Sequence, residues 1–96
     1  MMVLVTYDVN TETAAGQKRL RKVAKACQNY GQRVQNSVFE CIIDPVRLKE
    51  LQAALERLMN KDKDSIRYYY LGDDWRKRVE HVGAKASLNL EGTLIT

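Results

Sequence analysis

Met2-Val3-Leu4-Val5-Thr6-Tyr7-Asp8-Val9-Asn10 opens the chain with an apolar, β-branched run that has no helical period and stops at a polar turn. It reads as a first, largely buried strand over Met2 to Tyr7, with Asp8 at its C-terminal end. Asn10, Thr11 and Thr13 are helix-capping types. Beyond them Leu20, Val23, Ala24 and Cys27 recur at i, i+3, i+4, i+7 until Tyr30-Gly31. That spacing predicts an amphipathic helix ended by glycine. With the apolar stripe turned to the sheet, Lys18, Lys22 and Lys25 lie near one another on the solvent side, with Arg21 adjacent.

Arg33 to Ile43 reads as a second strand. Val34, Asn36, Val38, Glu40 and Ile42 share one face, and Arg33, Gln35, Ser37, Phe39, Cys41 and Ile43 share the other. Neither face is purely apolar, which suggests that part of the sheet meets a subunit or a ligand rather than a plain core. Asp44-Pro45 supplies an N-cap and an N1 proline, and Leu48, Leu51, Leu55 and Leu58 line one face of a second helix ending near Asn60. Ile66, Tyr68 and Tyr70 alternate with Arg67, Tyr69 and Leu71 in a third strand, and Gly72-Asp73-Asp74 makes a turn. Arg76 to Val82, carrying Val79 and His81, is expected as a fourth strand. The reading assigns the chain to the α+β class, as a β-α-β-β-α-β ferredoxin-like sandwich with an antiparallel sheet over residues 1–83. Residues 84–96, with Leu88, Leu90, Leu94 and Ile95, are too few to build a core. They are expected to belong to the same domain as a dimerisation segment, adding a strand to a partner subunit's sheet edge rather than capping their own.

A chain of 96 residues, 45% hydrophobic and 29% charged, has the size and composition of one globular domain. No apolar run reaches the roughly 18 residues of a membrane span, and Met1 to Val5 is too short for a signal-peptide core, so a cytoplasmic protein without membrane attachment is expected. Cys27 and Cys41 form no CxxC pair or zinc-spaced cluster and read as buried small hydrophobes that need not pair. Charge is unevenly spread. From Thr13 to Phe39 the chain carries Lys18, Arg19, Arg21, Lys22, Lys25 and Arg33 with no acid, while the remaining ten basic and twelve acidic residues nearly cancel. Such a local excess is the footprint of a polyanionic partner, although a solvated helix face has the same composition.

No nucleophile–base constellation, P-loop or dinucleotide fingerprint is present; the one histidine, His81, stands alone. Asp8 is the leading chemical residue, because a carboxylate at the end of a buried strand projects from a rigid scaffold. An aspartate capping the next turn would sit in the same place. Mg²⁺ needs only one or two carboxylates besides waters and phosphates, so two copies of Asp8 across a dimer axis would suffice. Asp73 and Asp74 fit their glycine-containing turn, and the aromatic strand Tyr68 to Tyr70 fits packing on helices as well as base stacking.

Val5-Thr6-Tyr7-Asp8-Val9 and Arg33-Val34-Gln35-Asn36-Ser37-Val38-Phe39-Glu40 resemble the two signature segments of the CRISPR-associated Cas-two family. The likeness runs through Gly31, the Tyr-rich third strand and Glu91-Gly92-Thr93-Leu94-Ile95, and is closest to type I-C members. The resemblance implies a ferredoxin-like homodimer whose C-terminal strand packs on its partner. It implies a metal-dependent endonuclease of double-stranded DNA or RNA, using Mg²⁺ or Mn²⁺ at paired aspartates matching Asp8. Tyr7, Ser37 and Phe39 would surround that site. It also implies partnership with the Cas-one integrase in spacer acquisition and antiviral defence, where the Cas-two subunit can act as a noncatalytic scaffold. Lys18, Arg19, Arg21, Lys22, Lys25 and Arg33 are the residues expected to contact phosphates, with little sequence preference and strong salt dependence.

Overall fold

The computed structural model describes residues 1–83. The elements are β1 (Met2–Asp8), α1 (Ala14–Gln28), β2 (Gln32–Gln35), β3 (Val38–Ile42), α2 (Pro45–Leu58) and β4 (Ser65–Gly72). The four strands form one antiparallel sheet in the order β2-β3-β1-β4. This is the expected βαββαβ sandwich, but its strands are distributed differently from the sequence reading.

The stretch expected as a single strand from Arg33 is a hairpin, broken at Asn36-Ser37, with Gln35 paired to Val38 and Ser37 in the left-handed region at φ 63°. A two-residue turn puts Gln35 and Val38 on the same face, reversing the alternation. A register shift between Arg33 and Gln35 then reverses it again, so that Arg33 pairs with Phe39. The two reversals cancel, and the period-2 pattern runs on as though the chain were straight. The expected fourth strand over Arg76 to Val82 is absent. Trp75–Lys77 is a single 3-10 turn in which the Lys77 N–H donates to the Asp74 carbonyl and the Arg78 N–H to that of Trp75. Three consecutive cations and only two valines give this stretch no apolar face to pair with a sheet. The expected C-terminal strand lies outside the described residues.

Both helices start where their caps require. The Gly16 N–H donates to Thr13 Oγ1 at 3.0 Å and the Arg47 N–H to Asp44 Oδ1 at 2.8 Å, with Pro45 following the latter cap. Gly31, just past α1, passes against β3. A side chain there would run into the Glu40 carbonyl and the Cys41 sulfur.

Val3, Val5 and Tyr7 of β1 and Phe39 and Cys41 of β3 form the core with Val23 and Cys27 of α1 and Leu48, Leu51 and Leu55 of α2. Both helices therefore cover one face of the sheet. Leu4, Thr6 and Asp8 leave the other face, beside Glu40 and Val38 on one flank and Tyr69, Arg67 and Ser65 on the other. Cys27 and Cys41 are buried free thiols, pushed up by burial to about 12 and about 11, as expected of packing residues. Among the described residues no helix is long and apolar enough to cross a membrane.

Leu51 is fully buried, so Leu51→Ala should cost about 2–5 kcal/mol through lost burial and a residual cavity. Urea unfolding checks this: the midpoint should fall with little change in slope.

Candidate active site and nucleic-acid interface

Asp8 ends β1 on the face of the sheet that neither described helix covers, and is exposed among the described residues. Its register partner on β4 is Ser65, and the preceding residue on the same face, Thr6, pairs with Arg67. Thr6, Tyr7, Asp8, Ser65 and Arg67 line a cavity of about 270 Å³. Among the described residues the Asp8 carboxylate accepts no hydrogen bond and forms no ion pair. The turn-capping alternative for Asp8 fails on one contact: the Asn10 N–H two residues on, which such a cap would engage, donates instead to Asp64 Oδ1 at 3.0 Å. Asp8 is thus a carboxylate without a structural task in the described fold.

Asp64 has that task. It is the one buried charged residue among those described. Its Oδ1 accepts from Asn10 N–H and from Arg19 Nη2 at 3.3 Å. Its Oδ2 accepts from Asn60 N–H at 2.9 Å and Arg19 Nε at 2.8 Å. The β1–α1 loop, α1 and the α2–β4 loop are therefore tied together one residue from Ser65, opposite Asp8. The hydrogen bonds from Arg19 hold the Asp64 carboxyl below its ordinary value against the opposing effect of burial, with help from the backbone N–H groups of Asn60 and Asn10.

Tyr7, Ser37 and Phe39, which the resemblance implies around Asp8, lie near one another on β1, the β2–β3 turn and β3. The Tyr7 N–H donates to the Ser37 carbonyl at 3.1 Å, the Tyr7 and Phe39 rings stack with centroids 6.1 Å apart, and the Arg33 guanidinium lies 5.3 Å above the Phe39 ring. Burial raises the Tyr7 phenol, and hydrogen bonds from Arg33 and Ser37 oppose the shift. Tyr7 is the member of this group that also lines the Asp8 cavity.

Of the basic residues, Lys18, Arg21, Lys22 and Lys25 are exposed on α1, and Arg33 is exposed on the edge strand β2. Arg19 is engaged otherwise: its guanidinium grips Asp64 through two nitrogens. Arg19 ties α1 to Asp64, the chain neighbour of Ser65, whereas the exposed cations of α1 lie on the helix-covered side of the sheet, opposite the face that carries Asp8. His81 is exposed, with Nε2 3.0 Å from the Gly83 carbonyl, and Asp73 pairs with the N-terminal amine at 3.4 Å. Asp64, Ser65 and Arg67 escaped the sequence reading. The period-2 spacing of Ser65 and Arg67 is their only signal in sequence.

Among the described residues no three His, Cys, Asp or Glu side chains converge on a point. Among the residues that line the Asp8 cavity, Asp8 is the one carboxylate, joined by the hydroxyl-bearing Thr6, Tyr7 and Ser65. That set fits a magnesium ion that keeps most of its waters and takes phosphate oxygens from a substrate, and does not fit a soft metal or a closed protein cage.

The family model for CRISPR associated protein Cas2 matches residues 1–79. The CRISPR-associated endoribonuclease Cas2 of Chlorobaculum tepidum is 61% identical over 95 residues, covering 99% of both chains. The CRISPR-associated endonuclease Cas2 of Halalkalibacterium halodurans is 60% identical over the same coverage. The crystal structure of Streptococcus pyogenes Cas2 at pH 6.5 superimposes with a TM-score of 0.77 at 59% identity, covering 86% of this chain and all of that one.

The Asp64 clamp has a signed pH dependence. Its carboxyl binds protons less readily folded than unfolded, so its contribution is complete above about pH 4, the ordinary aspartate value, and fades as pH falls through the lower folded value. Asp64→Asn should lose about 3 kcal/mol at neutral pH by stranding Arg19, and the gap to the wild type should narrow on acidification below pH 4. Urea midpoints taken across that range check both expectations.

Proposed function

This chain belongs to the CRISPR-associated Cas2 family, and from that premise we propose that it is a magnesium-dependent endonuclease that hydrolyses phosphodiesters of double-stranded DNA or RNA in spacer acquisition and antiviral defence. The active species is a homodimer in the cytoplasm, associated with the Cas-one integrase. The observation that carries this reading is the Asp8 carboxylate: exposed, in a cavity at the end of a rigid strand, and without a partner among the described residues.

Asp8 and its copy in a second chain would hold the ion, Mg²⁺ or equally Mn²⁺, with the remaining positions left to water and substrate. When bound, the metal supplies a water of lowered pKa and offsets charge on the scissile phosphate. Each part of the chain has its own role. The exposed lysines and arginine of α1 and Arg33 draw the backbone in and orient it by its phosphates, which carry no base sequence. Asp64 and Arg19 hold the loops on either side of Asp8, so that the carboxylate is already in place when an ion and substrate arrive. In the hydrolysis, a water oxygen bonds to phosphorus, the bond from phosphorus to the leaving sugar oxygen breaks, and that oxygen takes a proton from solvent. No histidine lies in the cavity, so the departing proton goes to bulk water or to a carboxylate.

A second reading is favoured by that poverty of acid–base groups. The chain would then be a noncatalytic scaffold that bridges integrase subunits and binds duplex DNA through α1. The two readings part at Asp8. As a nuclease, the Asp8→Ala variant should lose Mg²⁺-dependent cleavage of labelled duplex DNA and single-stranded RNA by about a hundredfold or more while binding both as the wild type does. Binding by both proteins with cleavage by neither establishes the scaffold instead. Lys22→Glu with Lys25→Glu should weaken binding under either reading and flatten its salt dependence by a slope of roughly two.

A further inference from the structure

The uncovered face of the sheet carries a cation that neither the signature segments nor the basic helix accounts for. Arg67 pairs with Thr6 across β1 and β4, and Ser65 pairs with Asp8. Directly opposed side chains in such a ladder stand about 5 Å apart at Cβ and diagonal ones about 7–8 Å, so Arg67 and Asp8 are diagonal neighbours on one face. The two line the same cavity, whose 270 Å³ amounts to roughly nine water volumes. Yet they do not pair. Arg67 is exposed, and its Nη1 donates to Tyr69 Oη at 3.2 Å, while Asp8 accepts from nothing among the described residues. Tyr69 is the next residue of β4 on that face, and its phenol draws the guanidinium away from the carboxylate. Four of the five N–H donors of Arg67 remain unclaimed by any contact among the described residues.

We propose that Arg67, with the Ser65 hydroxyl beside it, is the phosphate-gripping half of the Asp8 site and binds a nonbridging edge of a nucleic-acid phosphodiester through its guanidinium fork. The inference rests on the nuclease reading for the identity of the reaction but not for the identity of the ligand. A planar fork meets two phosphate oxygens at once, which a lysine ammonium cannot do. The order of charges also fits. A phosphate placed directly on Asp8 would be repelled, whereas one held by Arg67 has its charge offset and would leave the Asp8 carboxylate free for a cation. As phosphorus takes on its fifth oxygen, the charge growing on the nonbridging oxygens falls on the guanidinium. Tyr69 is then a positioning residue, setting where the fork points.

The test uses the full chain and its Arg67→Ala and Arg67→Lys variants with a labelled short DNA duplex and a labelled single-stranded RNA. Binding is measured across a salt series in EDTA, and cleavage is measured separately with Mg²⁺. Arg67→Ala should bind roughly three- to tenfold more weakly, with the salt slope reduced by about 0.9, the loss of one phosphate contact. Its cleavage should fall about a hundredfold. Arg67→Lys keeps the charge and should recover the slope but only part of the rate. Wild-type affinity and slope in Arg67→Ala would overturn the inference whatever the cleavage result. So would Arg67→Lys matching the wild type in both readouts, since the residue would then act as a charge and not as a fork. Should no protein cleave, wild type included, the nuclease reading fails, and the EDTA binding series still decides for or against Arg67.

Discussion

Both helices pack on one face of the sheet, and that one-sidedness governs the rest of the molecule. Val3, Val5 and Tyr7 must turn toward Val23, Cys27, Leu51 and Leu55, so period-2 geometry turns Leu4, Thr6 and Asp8 the other way. A slip of one residue would bury the Asp8 carboxylate and expose Tyr7, so the hydrophobic core itself fixes the register that displays the acid. The same parity on β4 sends Ile66 and Tyr68 inward to the core and leaves Ser65, Arg67 and Tyr69 beside Asp8. Glu40, also on the uncovered face, has its carboxyl raised by partial burial, with His81 pulling in the opposite direction.

Displaying a carboxylate is not the same as holding it still. Strand ends fray unless the loops beyond them are tied, and here the tie is a second aspartate. Asp64 takes four donors from three segments, two of them charged, so its own burial is compensated and the loops flanking Asp8 share one anchor. The division of labour is chemical. Asp64 is saturated and therefore inert toward ligands, whereas Asp8 has its lone pairs available.

What could be read from sequence was whatever is local. Thr13 and Asp44 announce their helices because a cap and its N–H lie three residues apart, and the apolar, β-branched run from Met2 to Tyr7 announces a strand without showing which of its faces is covered. The hairpin at Asn36-Ser37 was hidden because its turn and the register shift before it each reverse the alternation and together restore it. Arg76 to Val82 looked strand-like from Val79 and His81 alone, and the backbone hydrogen bonds that fold Trp75–Lys77 into a turn leave no trace in side-chain pattern. Arg19 illustrates the limit at the site. In sequence it is one of six uncompensated cations, but its partner Asp64 is 45 residues away, and only the packing of α1 against the α2–β4 loop reveals that its charge is already matched. Arg67 was missed for the same reason, since its neighbour on the sheet is Thr6, sixty-one positions earlier.

Matching Arg19 with Asp64 lowers the free charge of α1 but sharpens its distribution. The remaining exposed cations, Lys18, Arg21, Lys22 and Lys25, lie on the solvent side of α1, while Arg33 stands on the edge strand β2. A polyanion approaching this surface is attracted over a Debye length of about 10 Å, too coarse a field to choose between atoms. A choice between atoms needs short range, and one cavity is lined by both an anion, Asp8, and a cation, Arg67. Asp8, Arg67 and one phosphodiester together carry one net negative charge, which a bound cation would offset. One chain supplies a single carboxylate toward that cation. On the homodimer reading proposed for this chain, a second copy of the same strand end would bring a second carboxylate, and association of two chains would complete the site.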